Sequence, residues 1–244
     1  MTWGTFSIEH FISLIISILM ILTLYFFLKN KKDKTKIIVL LVFSSFGIWA
    51  NFYNLLKWGS PIEYLPLHMC NITAFLIPIV LITKNKYIAN LLVLWSVGAL
   101  IALIFNHEAS NFILFTPTFL QYYLSHTFEF GIPILIFALK IIPLDRKTIP
   151  YTILITLIIY TVVHLINLSL NRYILINDIK DNNGNLIQVN YMFSIYPSNP
   201  GLQFLYNIIP APYFYLLLML PIFLIYLLII YFPSIYKEKK TLMK

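Results

Sequence analysis

The apolar residues of this 244-residue sequence fall in long runs, separated by short clusters of charged residues, prolines and other polar residues. A membrane-spanning helix needs about 20 consecutive and mostly apolar residues. Seven runs fit this requirement, at residues 8–28, 37–56, 66–83, 87–105, 118–142, 149–170 and 210–232. The pattern therefore predicts an all-α, polytopic membrane protein with seven transmembrane helices in a single domain, residues 1–244.

The lysine and arginine residues between these runs predict the orientation of the chain. Cytoplasmic connections of membrane proteins carry an excess of both residue types. One set of alternating connections holds most of them, namely Lys29, Lys31, Lys32, Lys34, Lys36, Lys84, Lys86, Lys140, Arg146, Lys147, Lys237, Lys239, Lys240 and Lys244. The opposite set holds Lys57, Arg172 and Lys180. We therefore expect the N-terminus outside and the C-terminus inside.

The longest predicted connection is the outer loop 171–209. Two short apolar runs, which begin at Tyr173 and at Leu186, flank the turn Asp181-Asn-Asn-Gly184 within it. Short apolar runs around a glycine-containing turn are typical of a β-hairpin. The loop is therefore predicted to carry a small hairpin, and long ordered loops are often functional.

The composition also indicates a membrane protein, and the distribution of its charges indicates which kind of partner to expect. Hydrophobic residues make up 60% of the chain and charged residues 11%, whereas a soluble domain has about 25% charged residues. The net charge of +8 is spread over the connections, so we expect membrane lipids as partners and no nucleic acid. The oligomeric state is not predicted. The abundance of Ile, Asn, Lys and Tyr suggests a bacterial source, hence a multi-pass protein of the bacterial cell membrane.

Titratable and polar side chains within the runs mark the candidate site, because such residues are costly in a bilayer and are usually functional. With a rise of 1.5 Å per residue, Cys70 lies roughly 7 Å and His126 roughly 12 Å below the outer surface, with Glu129 one turn deeper. His164 and Asn167 lie within roughly 10 Å of the same surface. We therefore expect one outward-opening pocket between the third, fifth and sixth spans.

The one cysteine of the sequence, Cys70, is the candidate nucleophile. A single cysteine excludes an intrachain disulfide and a cysteine-cluster metal site. Pro66 suits the first turn of a helix, and the positive end of a helix favours a thiolate. A thiolate with a histidine base is the arrangement of nucleophilic catalysis. The alternative is that Cys70 is a small buried hydrophobic residue.

Two stretches carry a family resemblance: Leu65-Pro-Leu-His-Met-Cys-Asn71 and Phe119-Leu-Gln-Tyr-Tyr-Leu-Ser-His126. With Asn190-Tyr-Met-Phe193 and Pro210-Ala-Pro-Tyr213, they resemble the YwaF-like family of integral membrane proteins over nearly the whole chain. Eukaryotic relatives of that family look like phospholipid acyltransferases that use a membrane-embedded cysteine and histidine. The resemblance implies that Cys70 accepts the acyl group and that His126 is its base.

The first functional hypothesis is therefore lipid acyl transfer, with Cys70 and His126 as catalytic residues. The other polar residues of the pocket and the outer loop are assigned to substrate binding: His68, Asn71, Glu129, His164, Asn167, Asn190 and Tyr191. Of these, Asn71, His68 or Asn167 could stabilise the oxyanion of the reaction.

Two further hypotheses remain open. A transporter or sensor could use Glu129, His126 and His164 as a proton relay or substrate cage, although the sequence lacks the internal repeat of many transporters. Zinc could bind His68, His126 and His164, but no His-x-x-x-His spacing supports such a site. We therefore expect no metal and no cofactor. His10, beside Glu9, is interpreted as a solvated residue of the outer surface.

Overall fold

A computed structural model describes residues 1–57, 61–181 and 183–242, with the backbone alone for 233–242. The described residues form eight α-helices, α1 Ile8–Leu28, α2 Asp33–Lys57, α3 Met69–Thr83, α4 Lys86–Ile104, α5 Pro117–Ala138, α6 Ile149–Ile176, α7 Pro200–Ile208 and α8 Leu220–Leu242. Short 3-10 turns lie between several of them, and no β-strand occurs in the described residues, only two isolated bridges. The all-α prediction is therefore confirmed.

Side-chain caps fix where several of these helices begin. The hydroxyl of Ser7 accepts the N–H of His10 at the start of α1, and Asn85 Oδ1 accepts two N–H groups at the start of α4. Helix α5 begins with the Thr116 cap followed by a proline. Such caps satisfy N–H groups that have no carbonyl partner within the helix.

Five helical segments of the described chain are long and apolar enough to cross a membrane: Ile8–Leu28, Asp33–Lys57, Lys86–Ile104, Arg146–Ile176 and Phe214–Phe232. Two of the seven predicted spans are not among them. Helix α3 is apolar but has only 15 residues, and the 22-residue α5 carries several polar side chains in its interior. The total of seven spans and the orientation of the chain stay predictions.

The outer loop differs from its prediction. Helix α6 continues to Ile176, so the run that begins at Tyr173 is helical rather than a strand. This run is apolar enough to extend the helix, and Ile174 is fully buried. The chain then reverses in a short turn that is closed by one antiparallel bridge between Lys180 and Leu186. The predicted hairpin is reduced to this turn.

Helix α7 was not predicted, although the sequence contains its start signal. The side chain of Asn199 accepts the N–H of Leu202, and Pro200 occupies the first helical position. An asparagine cap followed by proline is a common helix start. The short length of α7 hides it from a search for membrane-spanning runs.

The described chain divides into two compact units. The first comprises residues 1–53 and 69–148, and the second comprises residues 54–68 and 149–244. In the first unit, α5 packs against α1, α3 and α4. Helix α4 is the most enclosed of these, since its residues 89–97 are all buried.

The N-terminal segment of the first unit closes over one end of α5. Trp3 is fully buried, donates its indole N–H to Ser13 Oγ at 2.8 Å and meets the ring of Phe119 edge-on. The interpretation of His10 as a solvated residue is wrong. Its side chain is fully buried, with Nε2 2.8 Å from the carbonyl oxygen of Leu103. A buried carbonyl needs a hydrogen-bond donor, and the histidine ring supplies one.

Candidate functional site

The thiol of Cys70 lies at the start of α3, within the first helical turn. It donates to Asn71 Oδ1 at 3.3 Å, and Asn71 Nδ2 donates in turn to Asn51 Oδ1 on α2. Asn51 Nδ2 completes the chain by donating to the carbonyl of Gly47 at 2.9 Å. Three consecutive hydrogen bonds therefore fix the amide that faces the thiol.

Two effects act in opposite directions on a thiolate at this position. Helix α3 begins at Met69 instead of the predicted residue 66, so Cys70 is closer to the helix N-terminus than expected. The N–H groups and the dipole of that terminus favour negative charge. The apolar surroundings of a partly buried thiol oppose it. A general base is therefore needed to generate the thiolate.

The ring of His126 on α5 is held in a defined tautomer. Its Nδ1 lies 2.8 Å from the carbonyl oxygen of Tyr122, one turn earlier, and the Tyr122 ring lies against it with 4.2 Å between centroids. A carbonyl oxygen only accepts hydrogen bonds, so Nδ1 carries the hydrogen. In the neutral ring, Nε2 is then left with a free lone pair, which is what a base requires.

Glu129 follows His126 by three residues on α5 and is 4% exposed. Within the described structure, its Oε2 has no hydrogen-bond partner. Its other oxygen occupies the space above Gly47, because a methyl group built on that glycine would stand 2.9 Å from Glu129 Oε1 and 2.8 Å from Ala74 Cβ. The missing side chain of Gly47 therefore makes room for the carboxyl group.

Cys70, His126 and Glu129 converge at one point of the first unit. One sulfur, one ring nitrogen and one carboxylate oxygen all lie within 4.8 Å of one another. Separations of up to 4.8 Å can exceed the reach of a hydrogen bond, but catalytic contacts are often longer when substrate is absent. A thiol, a base and an acid with these separations can perform nucleophilic and acid–base chemistry, and the same donor atoms could hold a metal ion.

The other predicted site residues lie in the second unit. His68 Nδ1 accepts the N–H of Met192 at 3.2 Å, and His164 Nδ1 lies 3.0 Å from Ser194 Oγ. Both histidines thus contact the turn 191–194. A single pocket that includes His164 and Asn167 together with Cys70 stays a prediction.

Asparagine side chains on α6 hold the same segment by its backbone. Asn167 donates to the carbonyl of Tyr191 at 2.8 Å and accepts its N–H at 3.0 Å, while Asn171 forms the same pair of bonds with Val189. Asn190 bonds with both its Oδ1 and its Nδ2 to the backbone of residues 195 and 196. These amides therefore order the outer segment.

Tyr191 ties this segment to residues 61–65. Its hydroxyl donates to the carbonyl of Ile62 and accepts the N–H of Leu65. Burial raises the pKa of Tyr191 to about 12, so the hydroxyl keeps its proton at neutral pH. Met192 and Phe193 have positive φ angles, which are uncommon for residues other than glycine. The hydrogen bonds around them hold this strained turn in place.

Sequence reasoning missed three residues of the first-unit site: Asn51, Gly47 and Tyr122. Asn51 carried a signal, because it is an amide within an apolar run, as Asn71 is. Gly47 and Tyr122 carried none, because one contributes an absent side chain and the other a backbone carbonyl. Neither contribution can be seen in a list of residue types.

The comparisons with known proteins give a family. The sequence profile of the TMEM164 family matches residues 5–231. The chain belongs to the TMEM164 family. No curated protein and no solved structure matches the chain. This family is one of membrane proteins, and together with the apolar helices of the described residues it makes this chain a multi-pass membrane protein.

Replacing Gly47 by alanine tests whether the glycine makes room for Glu129. The added methyl group would collide with Ala74 and with the carboxyl group, and overpacking of this kind costs about 1–3 kcal/mol. We expect G47A to lower the thermal unfolding midpoint of the purified protein. G98A is the matched control, because a methyl group on Gly98 would meet only Met69 Sδ at 3.7 Å. Equal midpoints for both variants would contradict this account.

Replacing Asn167 by leucine tests its role in ordering the outer segment. The change leaves the N–H and C=O of Tyr191 without their side-chain partners, and unpaired buried groups cost about 1–3 kcal/mol each. Hydrogen–deuterium exchange should therefore become faster in the peptide that spans residues 189–194. S169A, at an exposed position of the same helix, should leave exchange unchanged. If the 189–194 peptide of N167L exchanges as slowly as in the unaltered protein, Asn167 does not order the outer segment.

Proposed function

We propose that this TMEM164-family protein is a lipid acyltransferase with Cys70 as nucleophile and His126 as general base. The observation that carries the proposal is the position of the Cys70 sulfur within 4.8 Å of a His126 ring nitrogen, together with the bond that keeps a hydrogen on Nδ1. The resemblance to YwaF-like proteins, with their acyltransferase relatives, supports the substrate class. Seven spans, an external N-terminus and a bacterial cell membrane belong to the same proposal.

The reaction would proceed in two balanced steps. His126 Nε2 takes the thiol proton, and the sulfur of Cys70 attacks the carbonyl carbon of a lipid ester. The carbon–oxygen bond of the ester breaks, and the imidazolium returns the proton to the leaving lysolipid. An acceptor hydroxyl group then loses its proton to Nε2 and attacks the thioester carbonyl carbon. The carbon–sulfur bond breaks, and the imidazolium returns the proton to the Cys70 thiolate. Lysolipid and the newly acylated acceptor are the products.

The oxyanion of each step needs hydrogen-bond donors close to Cys70. The first-turn N–H groups of α3 have no carbonyl partners within the helix, and they adjoin the nucleophile. We assign the oxyanion to these groups. Asn167 is not assigned, because its NH₂ group donates to Tyr191 O and Ser194 Oγ. Asn71 instead orients the thiol through the bond to its Oδ1.

The second candidate function is proton-coupled transport or sensing. One observation favours it, the buried carboxyl group of Glu129 close to the His126 ring. Acid and imidazole pairs at this separation can pass a proton between them. The acyltransferase remains the preferred function, because a relay of this kind has no use for the thiol.

Removing the thiol tests acyl transfer directly. With purified protein in lipid micelles, C70A should transfer no acyl chain above background and should form no hydroxylamine-sensitive acyl-protein adduct by intact mass spectrometry. H126Q should lower the rate by about 10²–10⁴-fold, the usual contribution of a general base. T83A, at the other end of α3, serves as the control and should keep full activity. Undiminished transfer by C70A would end the proposal.

Vesicle uptake separates the two candidate functions. If the chain transports a solute with protons, uptake driven by a pH gradient should survive C70A and be lost in E129Q, because the relay needs a titrating carboxyl group. The acyltransferase proposal predicts no gradient-driven uptake in either variant. Uptake that depends on Glu129 alone would favour transport.

A further inference from the structure

The carboxyl group of Glu129 lacks the partner that its position requires. It is almost fully buried, and within the described residues its Oε2 has no hydrogen-bond partner. The ion pairs that join Asp33, Asp145 and Asp178 to lysines do not include Glu129. A buried carboxylate without a hydrogen bond or a cation is strongly disfavoured, because nothing replaces its lost hydration. A cation that reaches Oε2 would remove this cost.

We infer that Cys70, His126 and Glu129 form a binding site for a divalent transition-metal ion of the zinc type. Their sulfur, nitrogen and oxygen donor atoms lie within 4.8 Å of one another. Among the described residues this is the one place where three cysteine, histidine or acidic side chains meet in that way. A thiolate and an imidazole select zinc-like ions over magnesium or calcium, which prefer oxygen donors alone.

The geometry needs only a small contraction. With bonds of about 2.0–2.3 Å to each donor atom, the ligand atoms of a tetrahedral zinc site lie roughly 3.3–3.8 Å apart. Separations of up to 4.8 Å would therefore shorten by at most about 1–1.5 Å, a change that rotation about side-chain bonds can supply. The fourth position would be left to water or to another small ligand.

The surroundings of His126 fit a metal ligand. Metal-binding histidines almost always donate their second ring N–H to a carbonyl or carboxylate, which fixes the ring and the tautomer. His126 already donates from Nδ1 to the carbonyl of Tyr122, so Nε2 is free to coordinate. The hydrogen bond that would orient His126 as a metal ligand is therefore already formed without the ion.

The charge balance also favours a bound metal ion over a Glu129 carboxylate that has no partner. The thiol releases its proton to water when it coordinates, as metal-bound cysteines do. Thiolate, carboxylate and a divalent ion then sum to zero charge, which is the least costly outcome in apolar surroundings. Because the ion occupies both the sulfur and Nε2, occupancy and acyl transfer would exclude one another. That last consequence rests on the proposed function, whereas the metal site does not.

Cobalt titration tests the site without an activity assay. Full-length protein, purified in detergent without a histidine tag and stripped with a chelator, is titrated with Co²⁺ and then Zn²⁺. We expect about one equivalent bound per chain, with a sulfur-to-cobalt charge-transfer band in the near ultraviolet that Zn²⁺ removes. C70S should abolish the band, and E129Q and H126Q should weaken binding by more than about tenfold.

Controls make each outcome decisive. E9Q changes an acid of α1 outside the cluster and should bind as the unaltered protein does, while thermal unfolding of every variant establishes that it is folded. No bound cobalt, or binding that is unchanged in folded C70S and E129Q, would overturn the metal site. Metal binding by a protein whose metal-free form also lacks acyltransferase activity would keep the site and reject the proposed function. Acyl transfer by a protein that binds no cobalt would support the proposed function and reject the metal site.

Discussion

Polar side chains within apolar helices must find their partners inside the protein, because lipid offers none. Most polar side chains of the helices in the first unit find a partner within their own helix. Ser44, Ser96 and Thr127 each donate to a carbonyl three or four residues earlier on the same helix. His126 and Asn51 do the same with one polar atom. Their second polar atom remains for chemistry or for a neighbouring helix: Nε2 of His126 belongs to the candidate site, and Asn51 Oδ1 accepts a hydrogen bond from Asn71 on α3.

The same constraint orders the outer segment of the second unit, but by another route. There the backbone of residues 189–194 has no regular structure to pair with, so side chains of α6 take the place of a neighbouring strand. Asn167 and Asn171 are one helical turn apart, and each pairs with both backbone groups of one residue. The amides at these positions therefore do for the loop what ladder hydrogen bonds do in a sheet.

Much of the helical architecture could be predicted from the sequence. The first apolar run, 8–28, matches α1 as observed, because charged residues or caps mark both of its ends. Predictions failed where the local pattern was ambiguous. The apolar run after Tyr173 could continue a helix or start a strand, and only packing decides between them. Helix α7 is short enough to resemble a loop in hydropathy alone.

The sequence grouped Cys70, His126 and Glu129, whose donor atoms do meet, while their depth below the outer surface stays a prediction. Rise per residue gives the height of a side chain along the helix axis, which grouped Cys70 with His126 and Glu129. It does not say which helices are neighbours, so the loop contacts of Asn167 could not be foreseen. His68 shows the same limit, because it precedes the first residue of α3 and its contact with the N–H of Met192 depends on the fold of the outer segment.

The missing side chain at Gly47 has a consequence for how this site could change over time. A larger residue there displaces the carboxyl group, and a shorter side chain at position 129 leaves a void above the glycine. The two positions are 82 apart in the chain, yet neither can change in size alone without loss of packing. We expect them to have changed together in evolution, so that homologues with a smaller residue at position 129 have a larger residue in place of the glycine.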